Sequence, residues 1–95
     1  MKKGEILMRR VLVSGYYGFG NAGDEAILMA IVNSLKKLKS DIEITALSAD
    51  PLKTREYYGI NAVQRTSPFA IIREISRADL VISGGGGLLQ DVTSN

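Results

Sequence analysis

Val11, Leu12 and Val13 make a short apolar run, rich in β-branched residues, that Ser14 and Gly15 bring to a close. This is the pattern of a buried parallel strand ending in a loop. From Asp24 to Leu38 the period changes, with Ile27, Ile31, Leu35 and Leu38 spaced by four, four and three and with Asn33, Ser34, Lys36 and Lys37 falling largely between them. That spacing predicts an amphipathic helix. Ile42, Ile44, Ala46 and Leu47 form a second strand, closed by Ser48-Ala49-Asp50-Pro51, where Asp before Pro signals a turn or a helix start. Pro51 to Tyr58 predicts a short helix stopped by Gly59, and Ile60 to Val63 a third strand. Ser67-Pro68 opens a further helix that carries Phe69, Ile72 and Ile75. Asp79 to Ser83 is a fourth strand that runs into Gly84.

Strictly alternating strands and helices predict the α/β class, a Rossmann-like parallel sheet with right-handed crossovers. In a doubly wound order 3-2-1-4 the first and fourth strands are neighbours. The crevice outside their carboxyl ends is where such sheets bind ligands. Eight of the ten glycines fall in two clusters, Gly15, Gly18, Gly20 and Gly23 after the first strand and Gly84 to Gly87 after the fourth. Both clusters therefore converge on that crevice.

Composition narrows the chemistry. With 95 residues there is room for one domain or part of one, and 45% hydrophobic against 23% charged residues disfavours disorder and coiled coil. No cysteine and no histidine are present, which removes disulfides, thiolate metal sites and the commonest general base from this segment. No metal and no cofactor are expected. The net charge of +2 is scattered, so Lys2, Lys3, Arg9, Arg10, Lys36, Lys37 and Lys39 read as a solvated surface and no nucleic-acid partner is expected. No apolar run approaches the roughly eighteen residues of a membrane span, and Glu5 with Arg9-Arg10 breaks any signal-peptide pattern. The expected location is the cytoplasm, with at most peripheral contact at the inner face of the cell membrane.

Gly18, Gly20 and Gly23 match G-x-G-x-x-G, but two tyrosines separate Gly18 from Gly15, and Asp50 lies too far along to be the ribose-binding acid of a dinucleotide fold. Asn21 is placed to cap the helix, with Asp24 in capping-box position and Asp24 and Glu25 complementing the helix dipole. The functional alternative is that the amides of this helix start hold a phosphate or carboxylate while Asn21 and Asp24 bond a sugar hydroxyl. Four successive glycines at 84 to 87 cost chain entropy, which argues for close approach of a ligand. Gln90 and Asp91 would follow in the first turn of the next helix. Tyr16, Tyr17 and Phe19 offer either a stacking platform for a sugar ring or loop packing, with packing favoured for Phe19.

The run from Val11 to Ile27, with its Gly-Asn-Ala-Gly-Asp-Glu block at 20–25, together with Leu47-Ser48-Ala49-Asp50-Pro51 and the Gly-Gly-Gly-Gly-Leu-Leu-Gln-Asp block at 84–91, resembles the N-terminus of polysaccharide pyruvyl transferases of the CsaB type. Members are several times longer, so the resemblance implies that residues 1–95 are the N-terminal part of a Rossmann-like domain. The complete architecture it implies is glycosyltransferase-B-like, with two such domains. It further implies transfer of enolpyruvyl from phosphoenolpyruvate to two hydroxyls of a sugar in a lipid-linked, secondary cell-wall polysaccharide, giving a pyruvate ketal. The N-terminal domain would hold the saccharide acceptor and the C-terminal domain the donor. On this analogy Asp24 and Asp91 become candidate catalytic bases, and Gly20, Asn21, Gly23, Gly85, Gly86, Gly87 and Gln90 candidate substrate-binding residues.

Two other readings share the architecture. One is a glycosyltransferase using a nucleotide sugar, and the other a non-catalytic ligand-binding module. The chain alone is expected to be inactive, and an unfinished sheet is expected to leave an apolar edge and face that favour self-association.

Overall fold

A computed structural model of the chain describes residues 9–83. Its elements are β1 (Arg10–Tyr17), α1 (Ala22–Leu38), β2 (Glu43–Ser48), α2 (Pro51–Tyr58), β3 (Asn61–Gln64), α3 (Pro68–Arg77) and β4 (Leu80–Ser83). The strands form one sheet in the order β3-β2-β1-β4, every pair parallel. The α/β class and the strand order expected from the alternation are both present. Right-handed crossovers put α1 and α2 on one face and α3 on the other.

Local chemistry explains the boundaries. Asn21, Asp50 and Ser67 cap the three helices, each side chain accepting from backbone N–H groups of the first turn. Pro51 and Pro68 start the second and third helices, where a missing N–H costs nothing. Gly59 ends α2 in the left-handed region at φ 67°.

The core lies between the sheet and the α1–α2 layer. Val11, Val13, Tyr17, Ile44, Ala46 and Ile82 from the strands meet Leu28, Val32 and Leu35 of α1 and Tyr58 of α2. Each such aliphatic burial is worth about 1.5–3 kcal/mol. The stripe differs from the expected one: Leu28, Val32 and Leu35 are buried, Ile31 only partly, and Leu38 is 55% exposed. Because Ile27, Leu28, Met29, Ile31 and Val32 spread apolar character over a wide arc of α1, periodicity leaves the helix rotation open.

A second difference concerns β1, which continues beyond Ser14 and Gly15 to Tyr17 with an irregular register between Val13 and Tyr17. Gly15 permits this. A Cβ there would lie 2.6 Å from the Tyr17 hydroxyl, so the ring folds across a position that only glycine leaves vacant.

At the other end of the sheet, the Asp79 carboxylate accepts from the N–H groups of Arg9 and Arg10 at 2.8 and 3.0 Å, pinning the start of β4 to the start of β1. These two bonds hold its pKa below the ordinary carboxylate value. On the far face, Ala70, Ile71 and Glu74 of α3 are half-buried, while Phe69, Ile72 and Ile75 are 88%, 65% and 50% exposed. The apolar stripe of α3 therefore points largely away from the sheet.

Candidate functional site

The carboxyl ends of β1, β2 and β3 meet in one place. Ala49 N–H donates to Tyr17 O at 2.9 Å and Arg65 N–H donates to Ser48 O at 3.0 Å, tying the three strand exits together. Between them runs the glycine loop. Gly18 has φ +88°, and a Cβ on it would lie 2.6 Å from Asp50 N and 2.7 Å from Ala49 N, so both its conformation and its closeness to the β2 exit demand glycine.

The reversal at Gly18 brings Phe19 back onto Tyr16. The two rings stack with centroids 4.0 Å apart and planes 16° apart, and each residue is about half exposed, 51% for Tyr16 and 48% for Phe19. The Arg65 guanidinium carbon is 5.2 Å from one centroid and 5.3 Å from the other. Such near-equal distances set it against the pair as a unit rather than on one ring. Of the three aromatics considered as a platform, Tyr17 is wholly buried in the core. Phe19 packs on Tyr16 and not inside.

Gly20, Asn21, Gly23 and Asp24 gather at the start of α1. Asn21 Oδ1 accepts from Gly23 N–H at 3.0 Å and Asp24 N–H at 3.3 Å, so the expected cap is present. The back-bond from Asp24 to Asn21 N–H that a capping box would add is not among the hydrogen bonds of the described residues. Glu25 reaches back instead. Its Oε2 accepts from Gly18 N–H at 2.8 Å, and its Oε1 and its own backbone O both accept from the Tyr58 hydroxyl, the carbonyl at 3.0 Å. One carboxylate thus clamps the glycine loop, α1 and α2, a role that dipole arguments alone did not assign to it.

Beside this clamp opens a cavity of about 210 Å³ lined by Gly18, Gly20, Glu25, Lys53, Thr54, Tyr57 and Tyr58. Among the described residues expected at the site, Gly20 alone lines it. Asn21, Gly23 and Asp24 lie at the start of α1 outside its lining, and Asp50 is engaged as the cap of α2, accepting from Lys53 N–H. A larger cavity of about 240 Å³ lies by Arg10, Glu43 and Arg77, at the amino ends of the strands, away from where parallel sheets bind ligands.

Burial, then the nearby Asp24 and Glu25 charges, pushes the Tyr17 phenol up to about 12. Among the described residues its hydroxyl has no hydrogen-bond partner. The Tyr58 phenol is raised further, by burial first and then by its bond to Glu25. Among the described residues no three carboxylates, histidines or cysteines gather to hold a metal ion, and no helix is long and apolar enough to cross a membrane.

A family model described as Polysaccharide pyruvyl transferase matches residues 21–95, beginning at the Asn21 cap and covering most of the chain. The chain belongs to this family. No curated protein and no solved structure matches it significantly. The family match takes in Gly85, Gly86, Gly87, Gln90 and Asp91, which lie outside the described residues.

Proposed function

We propose that the complete protein transfers enolpyruvyl from phosphoenolpyruvate to two hydroxyls of a saccharide acceptor, and that residues 1–95 contribute to the acceptor side of the cleft. The observation that carries this reading is the family match over residues 21–95, which takes in Gly23 and the run Gly84 to Gly87. Chemically, the enol CH₂ carbon gains a proton to become methyl. The neighbouring carbon forms bonds to two sugar oxygens, and its bond to the phosphate oxygen breaks. One hydroxyl proton offsets the proton taken up by carbon, and the other leaves with inorganic phosphate.

Such a reaction needs a base for the hydroxyls and stabilisation of an oxocarbenium-like carbon. Asp24, in the first turn of α1, and Asp91 are the proposed bases. Gly20, Asn21 and Gly23, with Gly85, Gly86, Gly87 and Gln90, are proposed to bind the acceptor. In this proposal the chain forms the first part of a Rossmann-like domain in a two-domain, glycosyltransferase-B-like enzyme of the CsaB type. The acceptor is a lipid-linked cell-wall saccharide met at the inner face of the membrane, and the chain alone is inactive.

The test is product analysis with the full-length protein. Acceptor-dependent release of phosphate from phosphoenolpyruvate is expected, whereas release of a nucleoside diphosphate from a sugar nucleotide would favour a glycosyltransferase. Asp24→Asn or Asp91→Asn is expected to lower turnover by about 10²-fold or more if that residue is the base. Unchanged turnover in both variants would remove both from catalysis.

A further inference from the structure

Arg65 is half-buried beside the exposed Tyr16–Phe19 stack, at the carboxyl end of the sheet. Among the described residues its Nε is buried with no hydrogen-bond partner, and it belongs to none of the ion pairs, which join Arg10 to Glu43, Lys39 to Asp41 and Arg73 to Glu74. An unpaired buried donor is costly, and natural proteins leave few of them. The aromatics carry a parallel cost. Two large rings sit half in water, one at the end of β1 and one in the loop after it, where the Gly18 conformation brings them together.

We propose that Tyr16, Phe19 and Arg65 form a subsite for a phosphorylated sugar, the sugar ring lying on the aromatic pair and the phosphate on the guanidinium. This inference rests on the saccharide-acceptor reading above and adds to it a place and a charge. An aromatic face offers a sugar ring apolar C–H contact, and arginine matches phosphate with a fork of donors that lysine lacks. Arg65 also lies on the strand exits shared with the glycine loop, so a sugar held there stands at the mouth of the same crevice.

Equilibrium dialysis of the 95-residue chain against a labelled hexose 1-phosphate, the parent hexose, inorganic phosphate and phosphoenolpyruvate tests the assignment. The hexose phosphate is expected to bind at least tenfold tighter than the hexose or inorganic phosphate. Arg65→Gln is expected to lose about tenfold for the hexose phosphate and nothing for the hexose. Phe19→Leu is expected to weaken both by about threefold. Circular dichroism checks that each variant keeps the fold, and Arg65→Lys, which retains the charge, is expected to fall between wild type and Arg65→Gln.

Several results overturn the proposal: no binding of hexose phosphate, equal binding of hexose and hexose phosphate, affinity untouched by Arg65→Gln, or tighter binding of phosphoenolpyruvate. The two readings fail separately. Phosphate release by the full-length enzyme with an Arg65-independent affinity sinks the subsite alone. Arg65-dependent binding without any phosphate release sinks the enzyme reading and leaves the subsite.

Discussion

Glu25 holds the glycine loop through Gly18 N–H and the second helix through Tyr58, while its neighbour Asp24 donates its backbone N–H to the Asn21 cap. Adjacent acids on one helix turn thus have different work. Tyr58→Phe is expected to cost about 2 kcal/mol at neutral pH, the worth of a hydrogen bond to a charged group, measured by urea unfolding. Since the folded-state pKa of Tyr58 is raised, its contribution is present below the ordinary tyrosine value of 10.0 and is lost as pH rises above it. Tyr17 adds to the loss between 10.0 and about 12. The thermal midpoint of wild type is therefore expected to fall steeply above pH 10, and less steeply in Tyr58→Phe. Glycines in the same loop also divide. Gly18→Ala meets both a positive φ and the backbone of Ala49 and Asp50, and is expected to cost about 3 kcal/mol. Gly20→Ala shares the positive φ but faces open space, and about 1 kcal/mol is expected.

At the scale of elements, caps and prolines placed the helix starts well: Asn21, Asp50-Pro51 and Ser67-Pro68 all act where the sequence indicated. These signals are legible because a cap acts on its own first turn. Helix rotation was not legible, because α1 has apolar residues over too wide an arc. In the fold the rotation is held by Glu25, whose partners Gly18 and Tyr58 lie seven and thirty-three residues away. The extension of β1 through Gly15 was missed for a similar reason. Gly15 reads as a strand end until the Tyr17 ring is seen to need its empty position.

For the whole molecule, a notable uncovered apolar feature among the described residues is the stripe Phe69, Ile72 and Ile75 on α3. Exposed apolar area of this kind drives association in water. Sedimentation of the chain is expected to give an average mass above the 10.3 kDa of one copy, rising with concentration. Replacing Ile72 and Ile75 by lysine is expected to return it to monomer. A monomer in wild type at every concentration would show that the stripe is not sticky.

The α/β class, the order β3-β2-β1-β4, the helix caps and the family were determined by the sequence itself. Alternating strand and helix periods, crossover handedness and short motifs are properties of neighbouring residues or of the chain's chirality, so they can be read along a line. The tertiary structure alone decided that Glu25 rather than Asp24 clamps the loop, that Tyr17 turns inward while Tyr16 stacks on Phe19, and that Arg65 arrives beside them. Each of those contacts depends on which strand exits become neighbours and on where Gly18 can approach another backbone. Such distances exist only once the sheet has formed.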